Sequence, residues 1–422
     1  METDQPEAGH KMRWQHIAIS ILVILILAIG AFVLRYPVMP PQLDLPEQAS
    51  SYEEIGEKLQ QAVEQNAPPG IAVSVIDREG IQYAAEYGVA DVASGREITR
   101  QSVFQWWSLT KLFTMVAIVE LEEQGKLSLD DRVQQYVPFF ELEDKAASQS
   151  ITIKQLLSHS SGLKDVGPAI LGWVHFDGDP HPNQTKFLAE KLPEHNGMLA
   201  APGAEGHYSN MGYLVLAAVI EKAAGVPYEQ YVTEAILEPL GMDRTGFAYS
   251  DLMAEDEAIG THPRDFMSLL AGQFVDMDRA IRSHDAGMMS FNHVYSDQKG
   301  ATGLIGPIED LEKFLRLLLN GGVHDGQRLI TAQNVDRMVQ PIVAAASSPV
   351  PDSEGVEFGL SFYLKDTEQG KVAIHGGGGM GHVAMIRLYP DAGKAVIALA
   401  NSTYLGRTMG DELAAKLGAI AR

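Results

Sequence analysis

A chain of 422 residues with 45% hydrophobic side chains can bury one large core or two lobes, and its composition excludes an intrinsically disordered class. The absence of cysteine excludes disulfides and thiolate metal sites. A formal net charge of −23 repels nucleic acid and anionic lipid surfaces, so neither is expected as a partner.

In chain order the first element is an uncharged apolar run, Ile17 to Leu34, near the length that spans a hydrocarbon core. Lys11 and Arg13 precede it, and after Arg35 the next basic residue is Lys58, which keeps the N-terminus cytoplasmic by the positive-inside rule. Ala28-Ile-Gly30 resembles a signal-peptide cleavage site, but the apolar run continues past it, so an uncleaved anchor is expected. Pro37, Pro40, Pro41 and Pro46 stiffen the adjoining segment into a stalk. The expected organisation is a cytoplasmic tail over residues 1–16, a single transmembrane helix over 17–34, a Pro-rich stalk over 35–50, and one domain over 51–422 on the extracytoplasmic side.

Within that domain, Ser51 to Ala67 reads as a helix, and Gly70 to Asp77 and Ile81 to Tyr87 as a hairpin turning at Arg78-Glu-Gly80. Leu112 to Glu123 is an apolar helix without Gly or Pro that stops at Gln124-Gly125. Apolar residues at three and four spacing predict helices over Tyr213 to Ala224, Tyr228 to Leu237 and Ile308 to Leu319. Phe358 to Leu364, Lys371 to His375, Val383 to Tyr389 and Ala395 to Asn401 read as antiparallel strands, and Arg407 to Leu417 as a closing helix. These elements predict an α/β fold of the α+β type: an antiparallel sheet flanked by helices, beside a mainly helical lobe, with a cleft at the seam. No internal repeat is present.

Three short motifs carry chemistry: Ser108-Leu-Thr-Lys111, Tyr208-Ser-Asn210 and His375-Gly-Gly377. Residues three apart share a helix face, so the Lys111 amine reaches the Ser108 hydroxyl, which is a weak nucleophile until a base takes its proton. Ser-x-x-Lys also occurs at Ser161–Lys164, in a Ser/His/Gly-rich turn, and at Ser296–Lys299, read as a polar loop. Neither setting holds a lysine in helical register. His-x-Gly recurs at His195 and His324 in polar turns, whereas His375 follows the strand-like Val372-Ala-Ile374. The ordinary pKa values of Lys and Tyr lie at about 10.4 and 10, so neither is a base at neutral pH unless the two share a proton and titrate as a pair. Which of Lys111 and Tyr208 takes the Ser108 proton stays open. The tetrahedral oxyanion is expected to meet the backbone N–H groups of Ser108, at a helix start, and Gly378, in a glycine run that a substrate backbone can approach.

The chain resembles the serine β-lactamase-related family of class C and penicillin-binding type, which includes D-alanyl-D-alanine carboxypeptidases, D-aminopeptidases and some esterases. Beyond the motifs, the resemblance covers residue 51 to the end, through Pro69–Val75, Tyr87–Asp91 with Gly95, Gly125–Asp131, Ile151–Leu163, Glu238–Met242, Gly303–Asp310 and Gly376–Gly381. It implies a β-lactamase/transpeptidase-like fold, Ser108 as nucleophile, general-base roles for Lys111 and Tyr208, substrate orientation by Asn210, and His375, Gly377 and Gly378 on the strand edging the cleft. It implies no cofactor and no metal. Many relatives carry Lys where this sequence has His375, and a mostly neutral imidazole anchors a substrate carboxylate poorly. Efficient β-lactam hydrolysis is therefore not expected, and penicillins should acylate slowly, faster as pH falls.

Other residues are read blandly. His175, Asp177, Asp179 and His181 have metal-ligand chemistry but sit in a loop-like, solvated sequence. His159 reads as a buried structural histidine, Trp106 and Trp107 as either core or the wall of an acyl pocket, and Met288-Met289 as loop. The expected protein is a membrane-anchored serine hydrolase acting through an acyl-enzyme on a small-molecule or peptide amide or ester, with its oligomeric state open. The alternative is a catalytically silent binding or scaffolding module.

Overall fold

The computed structural model describes residues 43–264, 272–285, 287–347, 354–367 and 370–420, with Val23 and Gly30 as isolated positions. The expected tail over 1–16, the transmembrane helix over 17–34 apart from those two positions, and the first half of the stalk thus lie outside the described residues. Among the described residues no helix is long and apolar enough to cross a membrane.

A nine-stranded antiparallel sheet organises the molecule. Its strands are β1 (Gly70–Asp77), β2 (Ile81–Asp91), β3 (Arg96–Glu97), β4 (Val343–Ala344), β5 (Glu357–Phe358), β6 (Tyr363–Thr367), β7 (Gly370–Gly379), β8 (His382–Tyr389) and β9 (Lys394–Ala400), in the spatial order β4-β5-β6-β7-β8-β9-β1-β2-β3. The C-terminal strands therefore close against the N-terminal hairpin, with Ile71 opposite Ala400. Five helices complete the frame around the site: α1 (Tyr52–Glu64), α2 (Thr110–Glu123), α3 (Asn210–Ala224), α4 (Ile308–Leu319) and α5 (Gly406–Ile420).

Side chains alternate across the central strands with period two, and both faces are covered. Ile71, Val73 and Val75 of β1 join Val396 and Ala398 of β9 in one core, under Ile55 and Leu59 of α1 and Leu413 and Leu417 of α5. Ala72 and Ile76 join Ile397 and Leu399 in the other, with Leu311, Phe314 and Leu315 of α4 and most of α2 and α3. These last two helices are apolar nearly all round because they run through the lobe's interior rather than across its surface. The sheet and the helical lobe thus share one continuous core.

The predicted elements recur with four corrections. The strand expected over Phe358 to Leu364 is two strands, β5 and β6, separated by a bend at Ser361, whose φ is +65°. The strand expected to end at His375 continues through the glycines to Gly379, because β8 pairs it to the end, Gly376 opposite Met385 and Gly379 opposite His382. The helix expected over Tyr228 to Leu237 is a short helix, Tyr228–Val232, widening into a π-type turn over Thr233–Leu237. Met288-Met289 is not loop: Met288–Phe291 is the middle strand of a small sheet with Thr261–Pro263 and Ile281–Asp285, docked beyond the end of β7.

Candidate active site

Ser108 sits in a tight turn, Trp107–Leu109, that leads directly into α2. Trp107 before it has φ +47°, a left-handed conformation that costs an L-residue about 1–3 kcal/mol and persists only where its surroundings impose it. Those surroundings are specific. The Thr110 hydroxyl donates to Trp107 O at 2.7 Å and accepts from the Leu304 N–H at 2.9 Å. Trp106 N–H donates to Leu304 O, and its indole N–H donates to Gly306 O at 2.9 Å. Of the two tryptophans, Trp106 is fully buried core, whereas Trp107 lines the cleft.

One helical turn on, Lys111 is fully buried and its Nζ donates to Asn210 Oδ1 at 2.7 Å, to Ala301 O at 3.0 Å and to Ser108 Oγ at 3.3 Å. Tyr208 Oη lies 2.9 Å from the same Ser108 Oγ, and the Lys111 ammonium sits 4.9 Å from the Tyr208 ring centre. The phenol comes from the loop before α3, where Ser209 caps the helix by accepting from Gly212 N–H. Asn210 begins α3, and Asp165 holds it on two sides, accepting from its backbone N–H at 2.8 Å and from Nδ2 at 3.1 Å, which turns Oδ1 toward Lys111. No short-range pattern marks Asp165: it is 45 positions from Asn210. Ala301 contributes only a backbone carbonyl and is equally invisible in the sequence.

Behind Tyr208 lies His159, fully buried, its ring 4.6 Å from the Tyr208 ring and 5.1 Å from Tyr213. Its Nδ1 accepts from the Ser209 N–H at 3.1 Å. Burial, with Lys111 and His375 nearby, holds this imidazole well below its ordinary pKa, so it is neutral at physiological pH.

Strand β7 closes the other side. A Cβ on Gly377 would stand 2.1 Å from Trp106 O and 3.0 Å from Ser108 N, and one on Gly379 would stand 2.3 Å from the Trp107 indole. The glycine run is thus a strand that must lie flat against the nucleophile turn, not a flexible loop. His375 is not at the cleft: its ring is fully buried, and Nε2 donates to the carbonyl oxygen of Ser108 at 2.8 Å. The expected place of His375 among the substrate-binding residues at the cleft is not where the structure puts its ring, because the strand turns that side chain toward the nucleophile's backbone. Gly377 is likewise packed under the turn, whereas Gly378 lines the cavity with Ser108, Tyr208 and Asn210.

That cavity encloses about 520 Å³, within the usual range for small-molecule sites. Among its described lining residues none is Lys or Arg, and the one carboxylate is Asp165. Ser296, which reads in the sequence as part of a polar loop, also lines it: Val294–Ser296 is a buried strand, and Ser296 Oγ lies 2.6 Å from Thr302 Oγ1. Lys299 is buried and its ammonium is paired with Glu229.

The remaining candidates disperse. His175 Nδ1 bonds Asp297 at 2.7 Å and its Nε2 meets His181 Nδ1 at 3.0 Å, while Asp177 accepts from Tyr295 and His293, and Asp179 from Arg279. Among the described residues no group of three or more His, Asp or Glu side chains converges to hold a metal ion.

Residues 55–419 match the family model described as Beta-lactamase. The chain belongs to the β-lactamase family of serine hydrolases. Penicillin-binding protein 4* of Bacillus subtilis (strain 168) is 28% identical over 337 residues, which span 78% of this chain and 67% of that protein. With another curated relative the match covers 192 residues, 37% of its length. The octameric penicillin-binding protein homologue from Pyrococcus abyssi superposes with a TM-score of 0.68 at 26% identity, over 86% of this chain and 77% of its own. The D-amino acid amidase from Ochrobactrum anthropi SV3 has a TM-score of 0.67 at 20% identity, over 86% and 97%, a likeness of fold alone. The fold of this family member is accordingly the β-lactamase/transpeptidase-like arrangement of antiparallel sheet and helices.

Proposed function

We propose that the protein hydrolyses an amide or ester whose scissile region carries no carboxylate, through an acyl-enzyme on Ser108, and that residues 17–34 tether it to a membrane with the catalytic domain on the outer side. The observation that carries the catalytic reading is the convergence of Tyr208 Oη and Lys111 Nζ on Ser108 Oγ at 2.9 and 3.3 Å. Ser108 Oγ attacks the substrate carbonyl while its proton passes to the Tyr208–Lys111 pair. The backbone N–H groups of Ser108 and Gly378 receive the oxyanion, and the proton leaves with the departing amine or alcohol. Water then attacks the ester on Ser108 with the same pair as base, releasing the acid. Asn210, fixed by Asp165 and bonded to Lys111, orients the amine and borders the substrate.

The absence of Lys and Arg from the described cavity wall, with His375 turned inward, supports neutral substrates over β-lactams or peptides ending in a carboxylate beside the scissile bond. The fold likeness to a D-amino acid amidase is consistent with an amide of that kind. The test is to incubate the purified protein with a fluorophosphonate, a p-nitrophenyl ester, D-amino-acid amides and a fluorescent penicillin, alongside Ser108→Ala. Labelling and turnover lost only in Ser108→Ala are expected, with penicillin the slowest reagent. No reaction with any of them would leave a silent binding module as the better reading. For the tether, membrane fractionation is decisive: a soluble mature protein starting near Ala31 would remove it.

A further inference from the structure

A second cavity of about 370 Å³ lies beyond the end of β7 and shares Leu171, Gly378, Gly379 and Met380 with the cavity at Ser108. Its walls are apolar: Val275, Met277, Met289 and Phe291 from the segment around the small three-stranded sheet face Val383 of β8. The polar side chains on its rim, His262 and Thr403, are hydrogen-bonded to one another. The small sheet is pinned in place, since Thr261 donates its N–H to Gly381 O at 3.1 Å and Asn401 O at 3.0 Å, and its hydroxyl to Asn401 O at 2.7 Å. Glycine at 260 and 381 makes that docking fit, because a Cβ on Gly381 would stand 2.5 Å from Gly260. The walls therefore exist before any ligand arrives, which removes the ordering cost of forming them.

Position decides which part of a substrate reaches it. Tyr208, Asn210, Asp165 and Tyr363 line the first cavity but not the second. On the acyl-enzyme reading the proton returns from the Tyr208–Lys111 pair, which places the leaving group on the Tyr208 side of Ser108. That reading leaves the acyl part, with its carbonyl oxygen at the Ser108 and Gly378 N–H groups, the opposite direction, along Gly378, Gly379 and Met380, which the two cavities share.

We propose that the second cavity is the acyl subsite, and that it receives an unbranched apolar acyl chain of medium length. The inference rests on the acyl-enzyme reading of Ser108. A cavity of about 150 Å³ holds a benzene ring, so this one has room for more than a single ring's worth of carbon. Thioether side chains such as Met277, Met289 and Met380 adapt to a flexible chain better than a rigid aromatic cage would. Each methylene buried contributes roughly fourfold to transition-state binding when it leaves water.

The experiment compares kcat/KM for p-nitrophenyl acetate, butyrate, octanoate and dodecanoate, together with fluorophosphonate labelling of Ser108. For the wild-type protein, octanoate is expected to exceed acetate by on the order of a hundredfold, allowing for incomplete burial of the added methylenes. Val275→Trp, which fills the cavity, should reduce the octanoate-to-acetate ratio by more than about tenfold, and Phe291→Ala, which widens it, should move the optimum to dodecanoate. Should Val275→Trp fail to fold, the Phe291→Ala shift decides alone. A labelled wild-type protein with a flat chain-length profile, or variants with its profile unaltered, would overturn the subsite and leave the acyl-enzyme reading standing. A protein that no fluorophosphonate labels and no ester acylates would overturn both.

Discussion

His375 grips the carbonyl oxygen of Ser108, with Nε2 donating across 2.8 Å from the neighbouring strand. The third motif thereby ties β7 to the turn that carries the nucleophile, and its imidazole faces that backbone rather than the cleft. His375→Ala is expected to lower kcat by about 10- to 100-fold with little change in KM, and to cost about 2–3 kcal/mol of stability from a lost buried bond and an unfilled space. Steady-state kinetics and urea unfolding read the two effects. An unchanged kcat with a raised KM for a carboxylate-bearing substrate would instead place the imidazole on the substrate.

Lys111 and Tyr208 converge on one oxygen, so under the proposed mechanism their losses should not add. Tyr208→Phe and Lys111→Ala are each expected to reduce kcat by about 10²- to 10⁴-fold, and the double variant to be scarcely worse than the weaker single. Single-turnover acylation by a p-nitrophenyl ester measures this. Additive losses would mean that the two groups serve separate steps.

The glycines of β7 differ in what they touch, which separates packing from chemistry. At Gly377 an added Cβ meets Trp106 O at 2.1 Å, a backbone atom that cannot step aside; at Gly376 it meets Met385 Cε at 2.6 Å, the free end of a flexible side chain. Gly377→Ala is therefore expected to cost about 1–3 kcal/mol and most of the activity, because the Ser108 turn must move, while Gly376→Ala should fall within about 1 kcal/mol of wild type. Comparable losses at both positions would contradict the packing described for the strand.

His159 gives stability a pH dependence of definite sign. In the folded protein its pKa is depressed by burial and by Lys111 and His375, whereas the unfolded chain takes up the proton at about pH 6.5. Its contribution is complete above that value and is lost as pH falls below it, by about 1.4 kcal/mol per pH unit, because the unfolded state binds the extra proton. Protonation would also remove the acceptor for the Ser209 N–H. Urea unfolding between about pH 7.5 and pH 5.5 should show His159→Asn losing less stability on acidification than wild type, by up to about one proton's slope. Equal slopes would mean that the folded protein protonates His159 as readily as the unfolded chain does.

Much of the site is legible in the sequence because its chemistry is local. Ser108 and Lys111 are one turn apart across the Trp107–Leu109 turn and the start of α2, so their meeting follows from local spacing, which the two other Ser-x-x-Lys matches do not share. The sheet strands are legible from period two and α4 from periods three and four. Where the sequence misleads, the signal is not local. The glycine run reads as the end of a strand because glycine favours turns, yet pairing with β8 and contact with Trp106 and Trp107 keep it extended. Ser296 reads as loop because its neighbours are polar, although burial against the cleft makes it wall.

The sequence by itself determined which side chains can act as nucleophile and proton carriers, and that Ser108 and Lys111 lie one turn apart, since both depend on residue type and spacing. Only the tertiary structure decided where His375 points, that Asp165 steers Asn210, and that a preformed apolar chamber adjoins the cleft. These depend on contacts between segments tens to hundreds of positions apart, whose distances are set by packing of the whole core and leave no trace in any local pattern of residues.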